Sequence, residues 1–484
     1  MKIDEYRRSD GMALAAAIAG GELSASEVAA AAEAAITADN GVINAVIGRT
    51  EVERDAALKR QPGCQGPLAG VPFLVKDIGI AMAGVPCELG SRLAAGLVAP
   101  ADDALATRMK AAGLVTVGRS NTPEFGFNAS TEPLHLGSTR NPWHSGYSAG
   151  GSSGGAAAAV AAGMVPVAHA NDGGGSIRIP AHCCGVLGLK PSRGTISAAP
   201  TLDEAFFGLG TQLVVSRSVR DSAAMLDALA GREPGDRFAP RPASSALAAL
   251  AQPLPPLHIA FWDAPLPGAP ATDPDYRAAL HELADQLRAA GHRVSAIAPT
   301  IAHGEAGSLF IDLASASLAH LVDALAHSLS RPIDERTLEQ ATLACYHHGK
   351  SLRAIDIVSA LERLNSVSRR LGALFGDYDL ILSPVGTSCA PRLEQLDQNR
   401  DWGSAADWGE AIFQHYPIPV IGNVSGVPGI SIPLGLSPQG LPWGSHLLAD
   451  MGGETLLLQL AALVEALRPW PLLPGVGAAP SVRT

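Results

Sequence analysis

Short apolar runs bounded by glycine alternate with alanine-rich amphipathic stretches through the first third of the chain. Gly70-Val-Pro-Phe-Leu-Val75 is an unbroken apolar run ending at Lys76-Asp77, the pattern of a strand buried on both faces. Thr107–Ala112 predicts a helix that Gly113 stops, and Leu114–Val117 predicts the strand after it. Ser24-Ala-Ser-Glu27 reads as a capping box opening an alanine-rich helix. Gly154-Gly155 leads into a helix over Ala156–Ala162, and Val165–Val167 predicts another strand. This alternation predicts an α/β fold with a mixed, mainly parallel central sheet covered by helices on both faces.

The pattern resumes after a stretch rich in Ala, Pro and Ser at about 243–257, read as a surface connection. Strands are expected at His258–Phe261, near Val294, at Leu380–Leu382 and at Gly429–Ile432, with a helix at Tyr276–Ala290. The segment from about 304 to 370 reads as mostly helical, as does an N-terminal segment over about 1–60. No repeat of fixed period is visible, and residues 1–484 read as a single domain. The longest apolar tract, Ala156–Ala170, is too short and too rich in alanine to span a bilayer.

Composition narrows the class. A hydrophobic share of 47% and a charged share of 17% suit a globular enzyme rather than a disordered chain. The formal net charge is −11 and no stretch is densely basic, which argues against a nucleic-acid partner. The six cysteines are scattered without a CxxC pair, so reduced thiols and a cytoplasmic location are expected, with no metal and no cofactor. The N-terminus carries Asp4, Glu5 and Asp10 before a short apolar run, unlike a signal peptide.

Three stretches carry candidate chemistry. Lys76 ends an apolar strand, and an apolar surround disfavours the ammonium and lowers its pKa toward that of a base. Gly150-Gly-Ser-Ser-Gly-Gly155 precedes the alanine helix. A flexible linker there is at odds with the apolar helix that follows, and a nucleotide-binding P-loop would need a lysine that is absent. Its glycines imply a backbone that a Cβ would obstruct. In Asn171-Asp-Gly-Gly-Gly-Ser-Ile-Arg-Ile-Pro180, three glycines before Ser176 let several N–H groups converge, as stabilising an oxyanion requires. A glycine-rich turn is the plainer reading of that stretch. Serine needs a base. His135, His144, His169 and His182 lie near these motifs, but no Gly-x-Ser-x-Gly elbow anchors any of them, and His169 and His182 read as packing or pocket-lining residues.

Together these motifs resemble the amidase signature family, from about Ala13 to Pro469. The likeness is most specific from Ser138 to Arg193, where GGSSGG, DGGGSIRIP and GLKPSRG follow one another and Ser152 and Ser176 stand 24 positions apart. The resemblance implies a serine hydrolase of carbonyl–nitrogen bonds on an α/β/α amidase signature fold. It implies Ser176 as nucleophile, Ser152 as a bridging serine with a cis peptide bond, and Lys76 as base. It further implies an oxyanion hole from the N–H groups of Gly173, Gly174, Gly175 and Ser176, braced by Ser153, Asp172 and Arg178.

Within the family, Ile43–Ile47, Ser130–Pro133, Ser138–Trp143 and Asn423–Gly426 are similar to 6-aminohexanoate cyclic dimer hydrolases and related urethanases. An amide, lactam or carbamate small molecule is therefore the expected substrate, with neither nucleic acid nor membrane as partner and a monomer or homodimer as the assembly. His446 stands where the family often carries Gln, and Trp443 where it carries an aliphatic residue, in a part that commonly lines the pocket. Phe310, Ser317, Tyr346 and His347, in the helical segment that shapes the substrate entrance, are further candidates for pocket lining. Two rival readings share these motifs: the glutaminase subunit of a tRNA-dependent amidotransferase, and a catalytically silent amide-binding protein. The third glycine at position 173 and the presence of Lys76, Ser152 and Ser176 weigh against them.

Overall fold

Eleven strands form one sheet in the computed structural model, which describes residues 1–61, 64, 66–202, 204–237 and 245–471. They are β1 (Val46–Arg49), β2 (Pro72–Lys76), β3 (Val115–Ser120), β4 (Val167–Asp172), β5 (Leu187–Lys190) and β6 (Thr211–Ser216). The second half adds β7 (His258–Phe261), β8 (Arg293–Ala296), β9 (Leu380–Pro384), β10 (Gly429–Leu436) and β11 (Pro442–Ala449). Their order across the sheet is β1-β3-β2-β4-β6-β5-β10-β11-β9-β7-β8.

The sheet is mixed, as expected, but it is not mainly parallel. Only β2–β3, β2–β4, β7–β8 and β7–β9 pair in parallel. The other six pairings are antiparallel. Every antiparallel pairing includes β1, β5, β6 or β11, the four strands that the apolar pattern did not reveal. All four carry Gly, Gln, Trp or His inside the strand, which blurs the alternation by which strands are read. Two of them, β1 and β5, have only four residues each.

Alternation along the strands divides the interior into two layers. Ile259 and Phe261 of β7, Leu380 and Leu382 of β9, and Trp443 and Leu447 of β11 enter one core. Ala260, Ile381 and Leu448, their neighbours in sequence, enter the other. Helices Ala25–Ile43, Gly154–Ala161, Val219–Leu229, Pro274–Ala289 and Glu454–Leu467 cover the first face. Helices Glu305–Leu329, Gln340–Ser351, Ala354–Leu374 and Ala405–His415 cover the second.

Local rules account for several boundaries. The Ser24–Glu27 capping box is formed in full, with Ser24 Oγ accepting from the Glu27 N–H. The N-terminal 60 residues form four helices, Ile3–Arg8, Gly11–Ala19, Ala25–Ile43 and Glu51–Arg60, interrupted by β1 and short turns. Residues 243 and 244 of the surface connection lie outside the described residues, and Ala246–Ala249 forms a single helical turn within it. Among the described residues, the helix Glu305–Leu329 is long and apolar enough by composition to cross a bilayer. Its Leu309, Leu313, Leu318 and Val322 are instead buried in the second core.

Candidate active site

Strands β2 and β4 are parallel neighbours, so their carboxyl ends come out side by side. That places Lys76 beside Asn171 and Asp172, where open α/β sheets present their ligand sites. The serines of the GGSSGG block lie just ahead of helix Gly154–Ala161, and the Gly151–Ser152 peptide bond is cis. Gly155 is required by close approach: a Cβ there would fall 2.3 Å from the backbone nitrogen of Asn121. Lys76, Ser152 and Ser153 are buried, whereas Ser176 is half-buried and reachable.

The hydrogen bonds at Lys76 have a direction. Its Nζ lies 2.6 Å from Asn171 Oδ1, 2.7 Å from Ser152 Oγ and 2.9 Å from Ser153 Oγ. Asn171 Oδ1 can only accept. Ser153 donates its own proton to the Asn171 carbonyl at 3.2 Å, so it accepts from Lys76. Burial drives the Lys76 pKa well below the usual lysine value, against the opposing pull of Asp172. A neutral amine has two N–H groups, and both are taken. In that neutral form the lone pair faces Ser152 Oγ at 2.7 Å, whereas the ammonium form donates to Ser152 as well.

No histidine competes for this role. His169 is fully buried; its Nδ1 accepts from the Lys76 backbone N–H at 3.3 Å, so Nε2 carries the proton and donates to Gln212 Oε1 at 2.9 Å. Burial pulls its pKa down to about 3. His182 is likewise buried and neutral, accepting from the Gly444 N–H and donating to the Ser388 carbonyl. Asp77, next to Lys76, turns away to Arg119 and to the N–H groups of Glu88 and Gly90.

The glycine turn after β4 is held by one carboxylate. Asp172 accepts from the N–H of Gly175 at 2.7 Å and of Ile177 at 3.1 Å. Arg178 binds the same carboxylate through two nitrogens, each at 2.9 Å, and both side chains are fully buried. Asn423 donates to Asp172 at 2.8 Å and accepts from Arg178 at 2.7 Å. Although burial opposes it, the Arg178 charge holds Asp172 well below the usual carboxylate range. With the Gly175 N–H engaged, that residue drops out of the expected oxyanion set. Among the described residues, the N–H groups of Gly173, Gly174 and Ser176 have no backbone or side-chain acceptor, and Gly175 makes the bend at φ +127°.

A model of the family described as Amidase matches residues 26–458. The chain belongs to the amidase signature family. Amidases of this family hydrolyse carbonyl–nitrogen bonds, and this chain is such an enzyme. It is 34% identical to the 6-aminohexanoate-cyclic-dimer hydrolase of Paenarthrobacter ureafaciens, over 97% of this chain and 96% of that protein. A solved structure of 6-aminohexanoate cyclic dimer hydrolase superposes with a TM-score of 0.89 at 33% identity, covering 100% of both chains. The peptide amidase of Stenotrophomonas maltophilia superposes at 0.80 with 25% identity, over 98% of this chain and 99% of its own.

The other expected pocket residues of this amidase divide. Phe310 is at the site: a Cβ added to Gly174 would lie 3.1 Å from its ring. Trp443 is not. It points into the opposite core and stacks on Tyr276 at 5.1 Å, because odd-numbered positions of β11 face that layer. His446 faces the right layer but is fully buried as a brace, its Nε2 3.1 Å from Arg178 and its Nδ1 3.1 Å from Ser383. Arg178 can only donate, so His446 accepts at Nε2 and is neutral. Ser317 bonds to Leu313 of its own helix, Tyr346 bonds to Asp323, and exposed His347 packs edge-on against Tyr346. Those partners belong to the helical layer, not to the serine cluster.

The sequence pattern does not mark Asn171, Asn423 or Phe206 as site residues. Asn171 sat within a recognised motif, yet only the Lys76 contact reveals its part. Asn423 and Phe206 arrive from distant segments that no spacing connects to Ser176.

Proposed function

We propose that Ser176 is the nucleophile of this amidase and that Ser152 and Lys76 carry its proton. As Ser176 Oγ bonds to the substrate carbonyl carbon, its proton passes to Ser152 and the Ser152 proton passes to the Lys76 lone pair. The N–H groups of Gly173, Gly174 and Ser176 receive the developing oxyanion. The relay then runs in reverse and protonates the leaving nitrogen, which departs as an amine. An ester to Ser176 remains. Water attacks it through the same relay and releases a carboxylic acid.

The observation that carries this reading is the buried Lys76 Nζ, held 2.6 Å from Asn171 Oδ1 and 2.9 Å from Ser153 Oγ, with Ser152 Oγ in its third direction at 2.7 Å. Likeness to 6-aminohexanoate-cyclic-dimer hydrolases favours a small amide or cyclic amide as substrate, with carbamates as chemical neighbours. All six cysteines are unpaired thiols, which supports action in the cytoplasm.

Intact-mass spectrometry after exposure to a fluorophosphonate, with peptide mapping, tests the assignment. One adduct on Ser176, absent from Ser176→Ala, is expected. A folded protein that stays unlabelled, or a Ser176→Ala variant that still hydrolyses amides, would overturn it.

A further inference from the structure

The turn that presents Gly173 and Gly174 is flanked by two phenylalanines from unrelated parts of the chain. Phe206 belongs to the turn Ala205–Gly208, and its ring would lie 3.3 Å from a Cβ on Gly173. Phe310 comes from the first turns of helix Glu305–Leu329 and would lie 3.1 Å from a Cβ on Gly174 and 3.7 Å from one on Gly173. Both residues are half-buried.

Each ring is held in place. Phe310 stacks on Phe127 with centroids 5.7 Å apart and meets Phe413 edge-on at 6.0 Å. Phe206 has φ +52° and Phe207 has φ +55°, a left-handed pair that bulky residues rarely adopt. Arg193 fastens this turn, donating from Nε to the Gly208 carbonyl at 2.5 Å and from its other end to the carbonyls of Asn423 and Val424 at 3.1 Å. Asn423 also braces Asp172. The Phe206 turn and the oxyanion turn thus hang on the same support.

Further apolar side chains pack on this turn. Ile179 and Pro419 crowd Gly175, and Ile78 lies beside Gly126, which packs on Ser152. The charges of the Phe206 turn, Glu204 and Arg193, come together at Gly208. A carboxylate or ammonium set against the two rings would lose water to apolar surface.

From this we infer that Phe206 and Phe310 are specificity-determining residues, a pair of rings that selects an uncharged, apolar acyl group on the carbonyl attacked by Ser176. The inference rests on the proposed role of Ser176. Its physical content is contact between the acyl chain and two ring faces, so selectivity grows with apolar acyl surface and falls with acyl charge.

A series of p-nitroanilides that share one leaving group isolates the acyl side: acetyl, hexanoyl, phenylacetyl and succinyl. For the wild-type protein, kcat/KM is expected to rise at least about tenfold from acetyl to hexanoyl or phenylacetyl, and to drop below acetyl for succinyl. Phe206→Ala and Phe310→Ala, with Phe206→Leu and Phe310→Leu as gentler forms, should each shrink the hexanoyl-to-acetyl ratio severalfold, chiefly through KM. Fluorophosphonate labelling of the same preparations separates the two levels of the argument. Labelled protein with no acyl preference, or with a ratio unchanged in all four variants, overturns this inference alone. Absence of labelling overturns the serine assignment and the inference with it.

Discussion

Lys76 Nζ stands 2.6 Å from Oδ1 of Asn171, closer than it stands to either serine. The amide oxygen fixes one N–H of the amine, and Asn171 is itself pinned by donating Nδ2 to the Ile78 carbonyl at 3.1 Å. Aiming the lysine lone pair at Ser152 therefore depends on a residue with no part in the proton transfer. Asn171→Asp replaces a neutral acceptor by a carboxylate beside the amine. An opposite charge at that distance favours the ammonium and raises the lysine pKa by about 1–3 units. The acid limb of the kcat/KM profile should move to higher pH by that amount, with activity recovering as pH rises. An unmoved limb would show that Lys76 does not set it.

In the native protein the same limb should fall low. Burial depresses the Lys76 pKa, so the base form persists to lower pH than for an ordinary lysine and is lost as pH drops through the folded value. His169, held near 3, stays neutral across that range and adds no limb of its own. Lys76→Met should lower amide turnover by about 10²–10⁴-fold. Ester turnover should suffer less, since an alkoxide needs less protonation to leave than an amine. Equal losses on a matched amide and ester would count against the relay.

Asp172 is expected to matter for stability as much as for catalysis. Asp172→Asn leaves the Arg178 guanidinium fully buried without its counter-charge, which should cost about 3–5 kcal/mol in chemical denaturation. The depressed carboxyl pKa gives the sign for the native protein. Its contribution is complete above the ordinary aspartate value of 3.8 and is lost as pH falls through the lower folded value. The difference in stability between wild type and Asp172→Asn should therefore be flat at neutral pH and narrow only in strong acid.

His446 supports Arg178 rather than substrate. His446→Leu should destabilise the protein by about 1–3 kcal/mol by removing a buried acceptor, with little change in KM. His446→Gln restores an acceptor and should recover most of that loss. A large KM effect in the Gln variant, with stability intact, would return His446 to the pocket.

What the sequence determined by itself was local or carried by contiguous motifs. The apolar run into Lys76, the glycines before Ser152 and Ser176, and the Ser24 cap were legible because each is written in adjacent residues. The parallel strands β2, β7 and β9 were legible too, as short, largely apolar runs buried on both faces. Tertiary structure decided the rest. The four strands that make the sheet largely antiparallel carry mixed or short patterns, and their strand character comes from their neighbours. Trp443 and His446 are three positions apart, yet strand alternation sends one into the far core and the other under Arg178. Asn423, Phe206 and Phe310 reach the glycine turn only through folding, because hydrogen bonds and ring contacts between distant segments leave no spacing to read.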